Sequence, residues 1–351
     1  MKHMIPLENL SKYRAPLMGL AIICTMLCHN TVVVPENLAD ITRMLKSTLQ
    51  CGVDMFMLLS GLGLSYSFYK NPNKSTFWKK RYGKILPTYV VAIFVYGFVY
   101  VAYLRRATLW QYLWAYSLIS FFAVASLCVW FIAAILLLYA LFPLLYSTMQ
   151  RHYRDFLFMV IIIAVSCMGL SFIDCHKTIK IINEIFISRI PAFLVGMAIA
   201  KEILDHRNPS VPLSSVWLVW LLSSTLIVWV FFLSPKNYWT VTRLLFLPFS
   251  LSGMLILTTL IAQYNENCLL YRAVTAAGGI TLELYLIHER ALSTINEFLY
   301  MFDASPILLS IIANILAVLV SILGAWILKQ IVLGLSLLYK KHIMRSTPCG
   351  S

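Results

Sequence analysis

The amino-acid sequence predicts an all-α fold, a polytopic bundle of about ten transmembrane helices. Three observations carry this. Of 351 residues, 60% are hydrophobic and only 12% are charged, about half the charged share of a soluble domain. The apolar residues gather into runs of the roughly 20 residues that a spanning helix needs. The basic residues sit mainly between those runs. Little chain is left for loops and none for a soluble domain. The sequence therefore reads as a single integral-membrane domain over 1–351, with a core at about 12–328 and a cytoplasmic tail at 329–351. Disorder, a nucleic-acid-binding domain and an ordinary cytosolic enzyme are excluded.

The expected spans are about 15–33, 50–69, 84–104, 127–148, 156–174, 187–203, 214–233, 243–263, 272–290 and 306–328. The first begins near Leu17 and reads as a membrane anchor, not a cleavable leader. Trp110 to Ala125 is apolar but short and broken by Ser117 and Ser120, so it is interfacial, re-entrant or an eleventh span. Lys329 to Tyr339 reads as a basic-tipped interfacial helix.

The net charge of +14 is read first as topology. With the N-terminus inside, eighteen of the 28 Lys and Arg are cytoplasmic. The outer ten are Arg43, Lys46, Arg105, Arg106, Lys177, Lys180, Arg189, Lys236, Arg243 and Arg290. The excess predicts N-in and C-in. Eight cysteines include Cys24, Cys28 and the near-terminal Cys349, with no CxxC pair, so neither a metal site nor a disulfide framework is expected. Cys349 is third from the end and does not make a prenylation box.

Ionisable groups at membrane depth are costly and so are candidates for function. His29 ends the first span and His288 the ninth, both toward the outer side. Each is either a helix cap at the interface or part of a shared acid–base site. Asp54 opens the second span and needs a partner, for which His29 and Arg189 are candidates. A structural salt bridge is as good a reading as a histidine-orienting one. Ser60-Gly61-Leu62-Gly63 is a small-residue face, suited to close helix packing or to a ligand. Residues 70–84 carry six basic side chains and no acidic one, as a loop that anchors topology or grips phosphates.

Several segments, in order, resemble the acyltransferase-3 family of integral-membrane enzymes that O-acylate sugars and polysaccharides. They are Met18-Gly19-Leu20-Ala21-Ile22 through His29, Gly52-Val53-Asp54-Met55-Phe56 with Ser60-Gly61, Phe77 to Pro87, Trp130-Phe131-Ile132 with Phe142-Pro143, Arg189-Ile190-Pro191, and Gly279 to His288. There are two departures. The family usually has an arginine eleven residues before its first-helix histidine; here that position is Met18, and Arg14 lies one turn earlier. At ~1.5 Å per residue, Arg14 and His29 are about 22 Å apart along the helix, so the two do not touch. Thr281 stands where serine is common.

The resemblance implies transfer of an acyl group, usually acetyl, from cytoplasmic acyl-CoA to a sugar hydroxyl of a cell-surface or lipid-linked glycan. Acetyl-CoA is then a co-substrate, and no cofactor is held permanently. The location implied is the plasma (inner) membrane, and the partners are glycan, acyl-CoA and lipid, with no nucleic acid. It implies His29, Asp54 and His288 as the catalytic group, with His29 the general base, since imidazole is available as a base near pH 7. Arg14, Lys80, Arg81 and Lys84 are implied to hold the anionic coenzyme. Ser60, Arg189, Glu283 and Tyr285 are implied to support the site or position substrate. Two other classes share the spans and buried charges. A flippase for a lipid-linked glycan does not account for the ordered motifs, and no inverted repeat is visible. A glycan polymerase or ligase would carry a large outer loop.

Overall fold

The computed structural model describes residues 4–98, 101, 108–173, 175–205, 207, 209–233, 238–263, 266–299, 301 and 305–346. Lys2, Arg105, Arg106, Lys236, Cys349 and most of the end of the third expected span (99–100 and 102–104) lie outside them. The chain is almost entirely helical. A strand β1 (Met4–Pro6) and a single turn α1 (Asn9–Lys12) lead into α2 (Arg14–Cys28). Then come α3 (Ala39–Leu49), α4 (Cys51–Lys70) and α5 (Lys74–Gly97). Two short helices, α6 (Leu109–Ala115) and α7 (Leu118–Val124), precede α8 (Trp130–Arg151), α9 (Tyr153–Phe172), α10 (Lys177–Ile185) and α11 (Ile190–Leu204). Strand β2 (Ser210–Pro212) is followed by α12 (Leu213–Leu233), α13 (Tyr238–Ile261), α14 (Leu269–Gly278), α15 (Thr281–Leu299) and α16 (Pro306–Ser346).

Among the described residues, seven helical stretches are long and apolar enough to cross a membrane. Three of the ten expected spans fall short of that standard. The first, α2, has 15 residues. The third, α5, starts in the basic segment, and its last residues are not described. The ninth is not one helix. Gly278 and Gly279 end α14, because tandem glycines remove the side chains that favour helix, and α15 starts anew at Thr281. Of the alternatives open for residues 110–125, the structure shows two short helices, α6 and α7, of seven residues each, so neither alone, at about 10 Å of rise, is long enough to span. One further expectation is corrected. The tail at 329–339 is not a separate interfacial helix but part of the unbroken α16, which runs through Gly324 and Gly334.

Contacts divide the chain into two compact units. The first comprises Met1–His29, Val34–Lys79 and Trp114–Gly279; the second comprises Asn30–Val33, Lys80–Leu113 and Ile280–Ser351. In the first unit α4 is the central helix. It is apolar on all sides and buried along nearly its whole length, as such a helix must be. Glycines set its contacts. A Cβ at Gly61 would overlap the carbonyl oxygen of Phe193 on α11, and one at Gly196 would overlap that of Leu58 on α4. The two backbones therefore meet through reciprocal glycines, as small residues allow in membranes. Replacing Gly196 by leucine is expected to abolish monodisperse, detergent-stable protein in size-exclusion chromatography, whereas leucine at Gly169, which faces open space, should not.

At the other side of α4, Gly52 meets Ala21, Cys24 and Thr25 of α2, and Gly63 meets Arg14. Helices α2 and α4 thus run antiparallel. The C-terminal end of α2 and the N-terminal end of α4 lie together. Toward the opposite end, Phe68, Phe77, Phe142 and Tyr146 form an aromatic cluster, with ring centroids 5.0–5.9 Å apart.

Strands β1 and β2 pair antiparallel, with Met4 opposite Pro212. They must share one side of the membrane, so an even number of crossings lies between them. Six expected spans satisfy this, and a seventh from 110–125 would not. Lys201 donates to Gln150 at 2.9 Å, joining two segments that the charge count places inside.

In the second unit α15 packs on α16, and Tyr96 donates to the Ile287 carbonyl at 3.4 Å. An apolar cavity of about 440 Å³ lies beside α5, lined by Val90, Phe94, Gly97 and Tyr112 among others.

Candidate active site

The first unit gathers ions at one end. Asp54, one turn into α4, is 1% exposed, and Arg189, just before α11, is 2% exposed. Arg189 Nε donates to Asp54 Oδ2 at 3.3 Å. Its Nη1 donates to the Ile185 carbonyl at 2.9 Å, and its guanidinium lies 5.1 Å from the ring centre of Trp130. Of the two partners the sequence left open for Asp54, the structure takes Arg189. The other carboxylate oxygen, Oδ1, is buried and receives no hydrogen bond among the described residues.

A second arginine joins this cluster. Arg243 on α13 is 6% exposed, donates to Gln50 Oε1, and acts electrostatically on Asp54 and on half-buried Glu184. Its guanidinium lies 5.5 Å from the ring centres of both Trp239 and Phe246. The charge count treated Arg189 and Arg243 as outer cations. Both are interior groups, so neither belongs in a count of loop charges. The sequence reading missed Arg243 and Gln50 as site residues. A signal was there: aromatic residues flank Arg243 at i−4 and i+3, which is one helical face.

His29 is the C-cap of α2, and its backbone N–H bonds Met26 O at 3.2 Å. Its side chain is exposed. It lies at the same end as the ion cluster. From the level of Gly52, helix rise puts His29 about 7 Å outward and Asp54 about 3 Å inward. Asp54 is thus the anchor of an arginine.

Arg14 stands lower. Its Nε donates to the Leu59 carbonyl at 3.2 Å, and its guanidinium lies against Gly63. The small-residue face is therefore divided: Gly61 serves helix packing and Gly63 makes room for a cation. Ser60, immediately before Gly61, is buried.

In the second unit, His288 on α15 is 5% exposed. Its Nδ1 meets the carbonyls of Leu284 and Tyr285 at 3.0 and 2.9 Å. A carbonyl only accepts, so Nδ1 carries the hydrogen and Nε2 is the lone-pair nitrogen of the neutral ring. The Tyr285 ring lies 5.9 Å from that of His288, and Glu283 is half-buried on the same helix.

The basic segment is not a loop. Helix α5 begins at Lys74, because Asn73 Oδ1 accepts from the Thr76 N–H at 2.9 Å and caps it. Lys80 and Lys84 are exposed one turn apart, and Arg81 is half-buried. Burial pushes the Tyr82 phenol above its ordinary range, so it remains a hydroxyl donor.

A family model described as an acyltransferase domain matches residues 17–329. The chain belongs to the acyltransferase-3 family. No curated protein and no solved structure matches it. The match covers every candidate site residue except Arg14, including both histidines and the buried ion cluster of this membrane acyltransferase.

Proposed function

We propose that this acyltransferase moves an acyl group, acetyl by family habit, from cytoplasmic acyl-CoA to a sugar hydroxyl of a cell-surface or lipid-linked glycan at the plasma (inner) membrane. The observation that supports it most is the placement of His29. It is an exposed imidazole at the end of α2, where Asp54, Arg189 and Arg243 gather. In this reading the glycan hydroxyl oxygen attacks the thioester carbonyl while His29 takes its proton. The carbon–sulfur bond then breaks, and the proton passes to the departing coenzyme thiolate. A route through an acyl-histidine balances in the same way in two steps. Asp54 and Arg189 hold the end of the bundle in shape. His288, Glu283 and Tyr285 position the acceptor, with Nε2 of His288 as hydrogen-bond acceptor.

Lys80, Arg81 and Lys84 hold the coenzyme phosphates through their positive charge and the guanidinium fork of Arg81. Arg14 is the further candidate. The test is acyl-CoA turnover by purified protein, measured as released thiol, with glycan acceptor present. Arg81→Lys keeps the charge but replaces a bidentate fork with a point charge. It is expected to raise the apparent KM for acyl-CoA several-fold and to leave the acceptor KM alone. The effect should vanish for a donor truncated before its adenosine phosphates. Equal KM values for parent and variant would move the coenzyme site elsewhere.

A further inference from the structure

The residues that follow His29 are tied down by polar side chains of the last two helices. Thr31 is the centre. Its backbone N–H donates to Asn314 Oδ1 at 3.2 Å. Its hydroxyl oxygen accepts from Asn314 Nδ2 at 3.2 Å and from Asn296 Nδ2 at 2.9 Å. Two residues on, the Val33 N–H donates to Ser310 Oγ at 2.9 Å. Asn314 Nδ2 also donates to the Ser310 carbonyl at 2.7 Å, which fixes the amide on its own helix.

Asn314 and Ser310 lie in the first three turns of α16, the most apolar span of the chain. A carboxamide there is costly unless its bonds are made inside the protein. Here both ends of the Asn314 amide are used on one residue, and that residue is a threonine whose backbone and hydroxyl are both engaged. A contact that served only helix packing would not need donor and acceptor aimed at a loop. Thr31 is two residues beyond His29 in the chain, so the clamp fixes the backbone from which the imidazole is carried.

We infer that Thr31, Asn296 and Asn314 are positioning residues for His29. The inference rests on the proposed role of His29 as the base. The clamp holds the exit from α2 so that an exposed imidazole keeps one position. A displacement of about 1 Å at a reacting group costs up to ~10² in rate.

Two variants test this in the full-length protein. Thr31→Val removes a hydroxyl at an exposed position, and Asn314→Leu makes an apolar helix more apolar, so both should insert and keep the parent's thermal midpoint. Each is expected to lower kcat by about 10- to 100-fold with the KM for acyl-CoA within twofold. Thr31→Ser, which keeps the hydroxyl, should recover most of the rate. Hydrogen exchange read by mass spectrometry should speed up in peptides covering Cys28–Val33 and nowhere else. His29→Ala is run in parallel. If it is inactive while Thr31→Val and Asn314→Leu turn over at the parent rate, the clamp has no positioning role. If His29→Ala itself is active, it is the reading of His29 as base that fails. Exchange unchanged in Cys28–Val33 in Asn314→Leu overturns the clamp whatever the rates.

Discussion

His29→Ala is expected to lose acyl transfer by ~10²–10⁴-fold, the usual cost of removing a general base. The protein itself should survive the change. The side chain is exposed at a C-cap, and the backbone bond that ends α2 is made by its N–H, which alanine keeps. Released thiol from acyl-CoA, normalised to monodisperse protein, is the measurement. A well-folded variant with near-parent turnover would take the imidazole out of the mechanism. His288→Ala should behave differently. That ring is buried and bonded to its own helix, so its loss should also lower thermal stability.

The second large effect concerns the buried ions. Breaking a buried pair by removing one partner costs about 3–5 kcal/mol, because the other charge is left uncompensated. The two halves of the pair should not be equal. Without Asp54, Arg189 and Arg243 both lose the buried carboxylate they act on; without Arg189, Arg243 still acts on Asp54. Asp54→Asn is therefore expected to be the more damaging, in thermal midpoint and in yield, and Arg189→Gln the less. Removing both charges together, as Asp54→Leu with Arg189→Met, should recover part of the loss. Equal midpoints for parent, Asp54→Asn and Arg189→Gln would mean that the pair holds nothing.

The family segments, the helical architecture and the pairing options of Asp54 could be read from residues alone, since each rests on local pattern. Three features could not. The helical start of the basic segment was hidden by its charge density, although Asn71-Pro72-Asn73 carries a helix-start signal just before Lys74. Arg243 was counted as a loop cation because apolar runs mark where a span is greasy, not where its helix begins. Helix α13 starts at Tyr238, more than a turn before the run that hydropathy marks from 243. Asn314 was passed over because one amide barely alters the hydropathy of a run. What makes it matter is its contact with Thr31, nearly the whole chain away. Long-range partners of single polar residues are what a linear pattern conceals.

The pairing of Met4–Pro6 with Ser210–Pro212 also has a bearing on biogenesis. Synthesis at roughly 5–20 residues per second leaves β1 waiting tens of seconds for its partner to emerge. Through that interval the early spans enter the bilayer with their leading end unpaired and held only by charge. Once β2 arrives, the two strands close as a latch at one face of the membrane, and an inverted first hairpin can no longer be accommodated. Orientation would thus be chosen early by basic residues and proofread late by six backbone positions. Fusing a bulky protein directly to Met1 should then raise the fraction of wrongly inserted chains without altering a single membrane segment.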